Sequence, residues 1–284
     1  MISKTHFFSL LMCLFLVVSC SDDDTNNDGP NGTGTPATNT NYFPTNLDSY
    51  WNYDVEINST VTTNPEFSTD QLTVASIDNS SFTLSANNGL PPNGTMSGIL
   101  ISGTLTNTNS TLSLNGVLGL PAELADIIDF DITLNNAILY DTTAPNNSVL
   151  FTMSDQVTQD IQGIPLTLAY EVQSTGLNVY DTITLNGETY TNVVASEITL
   201  NLGAVATYDF NGFPISIDVL DPQDLLIVTS YYAENIGLVH AESQFDYEIN
   251  ATALAALANI GVNLTIPPTG SGTNVQVLNS YGPQ

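Results

Sequence analysis

The residue types that carry most enzymatic chemistry are scarce in this chain. Its 284 residues include two histidines (His6, His240), two cysteines (Cys13, Cys20) and one basic side chain, Lys4. A serine or cysteine nucleophile needs a histidine base close by, zinc sites need several His or Cys ligands, and Lys or Arg usually clamps phosphate and carboxylate substrates. The sequence supplies too few of these residues, so we expect a protein without enzymatic activity.

Carboxylates are the one reactive class in good supply, with 29 Asp and Glu side chains. Asp126, Asp129 and Asp131 cluster where a predicted helix meets the next strand, and hard oxygen ligands of this kind suit Ca²⁺. A solvated helix end is the alternative, because the order of ligands in an EF-hand is missing. Paired carboxylates also serve glycoside hydrolysis, although the sequence singles out no pair. No other cofactor is predicted.

Aromatic side chains provide a second candidate binding site. Trp51, Tyr231 and Tyr232 lie in predicted strands, and an exposed set of such rings stacks on sugars. Strand alternation places Trp51 and Tyr53 on the same face. Since aromatic residues on one face of a strand most often belong to the core, both a glycan-binding role and a core role remain open.

The N-terminus predicts an exported lipoprotein. Lys4 precedes an almost unbroken apolar run, Phe7–Val18, which has the layout of a secretory signal and is too short to span a bilayer. Val17-Val18-Ser19-Cys20 then resembles the bacterial lipobox. The resemblance implies that residues 1–19 are removed as a signal peptide and that acyl chains on Cys20 hold the protein on a membrane.

The residues after Cys20 indicate more closely where the exported protein is located. Ser21, Asp22, Asp23 and Asp24 resemble the surface-export signal of Bacteroidetes lipoproteins, which implies an outer-membrane protein facing the cell exterior. A merely solvated tether is the alternative. Residues 20–41 are rich in Asn, Thr, Gly, Pro and Asp, and we expect them to form a disordered tether.

Charge excludes several partners. The formal net charge is −28, and removal of the signal peptide would remove Lys4 as well. Such a surface repels nucleic-acid phosphates, anionic lipid headgroups and acidic polymers. We therefore expect no nucleic-acid partner, and expect membrane contact through the lipid anchor.

Residues 42–284 are predicted to form one antiparallel β-rich domain. Alternating or β-branched apolar runs recur along this region. Asn186-Gly187 and Asn211-Gly212 each join two such runs at the spacing of type I′ hairpins. Asn115-Gly116 is a further turn signal. The pattern indicates a mostly β fold class.

One or two short helices are expected within this domain. Pro121–Phe130 begins with proline and has apolar residues at helical spacing, and Asn250 is placed to cap a helix over Ala251–Asn259. Met96–Leu105, by contrast, is predicted to be a strand, because it belongs to the short apolar or alternating runs of this region.

Three motifs resemble a family of Bacteroidetes surface lipoproteins. They are Tyr42-Phe43-Pro44 followed by Tyr50-Trp51-Asn52-Tyr53, the segment Gly187–Val193, and a closing Tyr231-Tyr232-Ala233 with Gly237-Leu238-Val239. Members commonly carry Lys or Arg near the closing turn, which this chain lacks. The resemblance implies a single curved antiparallel sheet, half-barrel or barrel-like, and no established activity.

Three functions follow as hypotheses. The first is a non-enzymatic surface lipoprotein whose β domain is structural or binds an extracellular ligand such as a glycan. The second is a carrier of lipid or another hydrophobic ligand, which requires a concave apolar cavity. The third is a carboxylate-dependent glycoside hydrolase, which requires two carboxylates facing each other in one cleft.

Overall fold

The computed structural model describes residues 41–60, 64–120, 124, 130–264 and 267–283. Residues 1–40, which hold the predicted signal peptide, Cys20 and Ser21 to Asp24, lie outside these ranges. The strands of the described residues are β1 Tyr50–Ser59, β2 Glu66–Asp78, β3 Ser81–Ala86, β4 Thr104–Asn107, β5 Thr111–Leu118, β6 Ile132–Asp141, β7 Ser148–Ile161, β8 Ile164–Leu185, β9 Glu188–Phe210, β10 Phe213–Ala233, β11 Gly237–Glu248 and β12 Thr269–Gly282. The helices are α1 Thr95–Ile101 and α2 Ala251–Asn259, with a 3₁₀ turn at Asn87–Gly89.

All twelve strands belong to one antiparallel sheet. Their order is β6-β5-β4-β3-β2-β1-β12-β11-β10-β9-β8-β7, so two six-strand meanders meet where the first strand pairs with the last. The sheet curls into a nearly closed barrel with an unsealed seam between β6 and β7. Across this seam, the Ser174 hydroxyl donates a hydrogen bond to the Ile138 carbonyl at 2.5 Å. The predicted mostly β, curved antiparallel fold class is confirmed.

The hairpin turns explain how adjacent strands pair so regularly. Asn186 and Gly187 have φ values of 50° and 87°, and Asn211 and Gly212 have 53° and 87°. Positive φ at both central residues is the requirement of a type I′ turn, which matches the twist of the flanking strands. These two turn predictions are confirmed. The turn predicted at Asn115-Gly116 was wrong, because these residues lie inside β5 at a register irregularity.

An aromatic cluster fills the part of the core next to β1 and the segment that precedes it. Phe43 packs against Trp51, with ring centroids 5.0 Å apart, and against Phe82 at 5.6 Å. The ring centroids of Tyr140 and Tyr232 lie 4.8 Å apart. Because Trp51, Tyr53 and Val55 alternate with more exposed neighbours along β1, one face of the strand supplies the core, as strand geometry requires.

The helices only partly match the prediction. Ala251–Asn259 is helical, and the Asn250 side chain accepts hydrogen bonds from the backbone N–H groups of Thr252 and Ala253, so the predicted cap is confirmed. Most of Pro121–Phe130 lies outside the described residues. The strand predicted over Met96–Leu105 was wrong, because Thr95–Ile101 is the helix α1 and only Thr104–Asn107 is a strand.

Candidate functional site

Helix α1 lies within the curve of the sheet. It contacts β3, β5, β10 and β11. Its Met96, Ile99 and Leu100 side chains are buried. An apolar helix of seven residues is marginal on its own, so packing inside the barrel has to stabilise it.

Two buried polar side chains fix the start of α1. Both carboxylate oxygens of Asp70 accept hydrogen bonds, Oδ1 from the Asn93 backbone N–H at 2.8 Å and Oδ2 from that of Gly94 at 2.7 Å. Gln276 Oε1 accepts from the backbone N–H of Met96 at 2.8 Å and of Ser97 at 3.1 Å. These bonds satisfy N–H groups that the first turn of a helix leaves without partners.

The approach of Gln276 to this turn is close. A Cβ atom at Gly94 would lie 2.1 Å from Gln276 Cδ, so only glycine leaves room for the amide. The Gln276 Nε2 group also donates to Ser97 Oγ at 2.7 Å. The helix is therefore anchored to β12, 180 residues further along the chain than Met96.

An open cleft of about 560 Å³ lies beside α1 and is also lined by residues of β1, β5, β10, β11 and β12. We call it the α1 cleft. Its apolar lining consists of Ile57, Pro92, Ile99, Val117, Leu120, Leu226 and Phe245. No charged side chain of the described residues lines it. This volume lies in the range of small-molecule sites, about 300–1,000 Å³.

The polar groups of the α1 cleft already have partners. Ser243 Oγ donates to Thr95 Oγ1 at 2.9 Å, Asn274 Nδ2 donates to the Asn93 carbonyl at 2.9 Å, and Ser102 Oγ donates to the Ile99 carbonyl at 2.8 Å. Since burying a polar group that has its hydrogen bond costs little, these walls tolerate contact with an apolar ligand.

The aromatic residues considered for glycan stacking lie elsewhere. Trp51 and Tyr232 are both 0% exposed, so neither ring face is accessible and the core role applies to them. Tyr231 is half-buried, and its ring centroid lies 5.7 Å from that of His240. Burial raises the pKa of the Tyr231 hydroxyl, with smaller contributions from Tyr180 and Glu242. The structure does not bring the three side chains together on one exposed surface.

The calcium prediction falls mostly outside the described residues. Asp126 and Asp129 belong to the undescribed segment, and Asp131 is exposed just before β6. Among the described residues, no group of three His, Cys, Asp or Glu side chains is placed to hold a metal ion. Calcium binding at these three aspartates stays a prediction.

His240 is held under the tip of the β8–β9 hairpin. Its Nδ1 atom lies 3.1 Å from the Nδ2 atom of Asn186, and only 9% of the side chain is exposed. An amide N–H can donate only to an unprotonated ring nitrogen. Burial lowers the pKa of His240, and the nearby Glu242 opposes this shift.

We expect the buried imidazole to make stability depend on pH. The unfolded chain takes up a proton as the pH falls through the ordinary value of 6.5, whereas the folded chain does so only at lower pH. The free energy of unfolding that His240 contributes is therefore complete above about pH 6.5 and declines below it. The measurement is urea unfolding of wild type and His240→Gln from about pH 8 to about pH 5.

The informative quantity is the wild-type value minus that of His240→Gln, because the carboxylates contribute equally to both proteins. This difference should fall as the pH is lowered. A difference that stays constant or rises across the range would contradict a lowered pKa at His240.

Comparisons with known proteins add little to this geometry. No protein-family model matches the chain, and a search of curated proteins gives no match. Among solved structures, the crystal structure of LolA superfamily protein NE2245 from Nitrosomonas europaea is 11% identical. The match covers 87% of this chain and 94% of that chain, with a TM-score of 0.21. At this TM-score the likeness carries no argument about function.

Proposed function

We propose that this chain is a non-enzymatic binding protein that holds an apolar or amphiphilic ligand in the α1 cleft. The observation that carries the proposal is the cleft itself, with its open volume of about 560 Å³, its apolar lining and the lack of a charged side chain among the described residues that line it. Burial of each CH₂ group of such a ligand contributes roughly 0.8 kcal/mol. A short acyl chain therefore has enough surface to bind there.

The charge of the protein favours a neutral ligand. Lys4 is the sole Lys or Arg in the sequence and belongs to the predicted signal peptide. An anionic head group would therefore meet 29 acidic side chains without a cationic partner. Neutral amphiphiles avoid this repulsion, and their polar ends can contact hydroxyl and amide groups such as Thr95 and Asn274.

The carboxylates give little support for hydrolysis. Asp54 and Asp70 line one outer groove, but five N–H···O contacts engage the two oxygens of Asp70. A general acid or nucleophile needs an oxygen free to meet the substrate. Both oxygens of Asp70 instead accept hydrogen bonds from groups at the start of α1.

For its location, we propose an anchor of acyl chains on Cys20 and display on the outer face of the outer membrane. The support is the lipobox-like sequence and the acidic Ser21 to Asp24 that follows it. A ligand-binding domain on a tether of some twenty residues could reach apolar molecules outside the cell.

The α1 cleft can be tested by filling it from Gly98. Among the described residues, a Cβ atom at this position would have one neighbour within 4 Å, Pro92 Cγ at 3.9 Å. Leucine also favours a helix more than glycine does. We expect Gly98→Leu to weaken binding of the neutral probe N-phenyl-1-naphthylamine at least about tenfold. Fluorescence titration of chains carrying Cys20→Ser, made without acyl groups, measures the affinity.

Gly98→Ala is the matched control and should bind the probe like wild type. Gly119→Leu fills the cleft from another wall, since no atom of the described residues lies within 4 Å of a Cβ there, and it should act like Gly98→Leu. Unchanged probe affinity in both leucine variants, with circular dichroism showing intact folding, would rule out the α1 cleft as the binding site.

A further inference from the structure

A second concave surface lies on the outer side of the sheet. It has an open volume of about 790 Å³ and forms where β12, β1 and β2 meet the turn that follows β3. Six amide side chains line it: Asn52, Gln71, Asn87, Asn88, Asn93 and Asn279. We call this surface the amide groove. Asn52 and Asp54 alternate with the buried Trp51 and Tyr53 along β1, so they face away from the core.

Hydrogen bonds across the three strands hold these amides in place. Asn52 Nδ2 donates to Ser280 Oγ at 3.0 Å, and Gln71 Nε2 donates to Asn52 Oδ1 at 3.0 Å. Asn279 Nδ2 donates to Asp54 Oδ2 at 2.9 Å. Side chains fixed in this way lose less conformational entropy when a ligand binds.

The same groups keep hydrogen-bonding capacity for a ligand. The Oε1 atom of Gln71, the Oδ1 atoms of Asn279 and Asp54, and the amide of Asn88 have no partner among the described residues. Their acceptors and donors line one groove, and Leu90, 67% exposed, lies at its edge. The groove therefore offers both polar contacts and an apolar contact.

We propose that the amide groove binds a neutral oligosaccharide. Sugar hydroxyls both donate and accept hydrogen bonds, which matches planar amides beside the one carboxylate with an uncommitted oxygen, Asp54. The C–H face of a sugar ring can pack on Leu90. Acidic sugars would meet Asp54 without any cation to compensate. A metal ion is a weaker fit, because Asp54 supplies the one carboxylate in the groove with an uncommitted oxygen.

This site is separate from the α1 cleft and does not depend on the function proposed there. Asn93 alone lines both surfaces, and its side-chain amide donates to the Thr69 carbonyl and to Asp70. The two proposals can therefore fail independently, and variants in one surface serve as controls for the other.

Calorimetric titration with neutral and acidic sugars tests the proposal. The probes are cellohexaose, maltohexaose and mannohexaose, with an oligogalacturonate as the acidic counterpart, and the protein is the chain with Cys20→Ser. We expect at least one neutral hexasaccharide to bind and the acidic sugar not to bind. Gln71→Ala removes an uncommitted acceptor, and Asn52→Ala removes the acceptor that holds Gln71 in place, so each should weaken the binding about five- to tenfold.

Asn201→Ala is the matched control. Its amide donates to Asp224 at 2.9 Å, the same distance as in the Asn279–Asp54 pair, but on β9 and β10. This variant and Gly98→Leu should leave sugar binding unchanged. If Asn52→Ala unfolds, the exposed Asn279→Ala replaces it. The proposal is overturned if no neutral hexasaccharide binds, if the groove variants bind like wild type, or if the oligogalacturonate binds equally well.

Discussion

Replacing Trp51 with alanine is expected to lower the free energy of unfolding by about 3–5 kcal/mol. The side chain is 0% exposed, its ring packs against Phe43, and its Nε1–H group donates to the Ile236 carbonyl at 2.5 Å. The substitution leaves a cavity and also deprives a part-buried carbonyl of its donor. Urea unfolding followed by far-ultraviolet circular dichroism measures the loss, since Trp51 is the only tryptophan.

Two further variants separate these contributions. Trp51→Phe keeps an aromatic ring but loses the N–H donor, so we expect an intermediate loss of about 1–3 kcal/mol. Phe67→Ala removes an aromatic side chain of β2 that is 75% exposed and should change stability by less than about 0.5 kcal/mol. A loss below about 1 kcal/mol for Trp51→Ala would be incompatible with a core role for this residue.

Gly237 shows how closely this core is packed. A Cβ atom there would lie 2.9 Å from Trp51 Nε1, and the φ angle of Gly237 is +111°. The turn before β11 thus needs glycine for its backbone conformation and for the space that the indole occupies. The donor to Ile236 and the close approach to Gly237 join β1 to the β10–β11 turn across 185 residues of sequence.

Alternation along β1 predicts that Trp51 and Tyr53 share a face, and the structure confirms it. Alternation does not say whether that face is covered. Here Phe43, which belongs to the segment before β1, packs against Trp51, and both side chains are 0% exposed. The exposure of an aromatic residue thus depends on a neighbouring segment that no periodicity describes.

The limited information in periodicity also explains why the sequence predicts a strand where the structure has α1. Thr95–Ile101 is short and apolar, and length and periodicity do not separate a buried helix of this size from a buried strand. What selects the helix is the pair of buried acceptors, Asp70 and Gln276, at separations of about 24 and 180 residues. The α1 cleft exists only because this helix occupies the barrel, so the sequence alone could not locate the candidate site.

Hairpin turns, in contrast, depend on local chemistry and were mostly predictable. Asn186-Gly187 and Asn211-Gly212 adopt positive φ at both residues, which asparagine and glycine tolerate at low cost. Asn115-Gly116 has the same residues, but it pairs with β6 on one side and β4 on the other. Sheet pairing on both sides overrides the local preference there.

Asp70→Ala should lower the free energy of unfolding by about 3–5 kcal/mol and release the start of α1, because it breaks a buried hydrogen-bond network. The carboxylate is 1% exposed. It accepts hydrogen bonds from the backbone N–H groups of Asn93 and Gly94 and from the side-chain amides of Asn87 and Asn93. Alanine leaves the two backbone N–H groups without this acceptor, while the two amides keep only their bonds to the Pro91 and Thr69 carbonyls. The negative charge that favours the start of the helix is also lost. Urea unfolding measures the stability, and amide hydrogen exchange of Gly94 to Ser97 reports on the helix.

Asp70→Asn keeps the size of the side chain but turns an acceptor group into a donor that faces other donors. We therefore expect a smaller loss, about 1–3 kcal/mol. Asp54→Ala is the matched control on the neighbouring strand, since Asp54 is exposed and its removal should cost less than about 0.5 kcal/mol. Because α1 forms one wall of the α1 cleft, Asp70→Ala should also weaken N-phenyl-1-naphthylamine binding. Slow exchange at Gly94 to Ser97 in a stable Asp70→Ala protein would show that packing and the Gln276 amide hold the helix without the buried carboxylate.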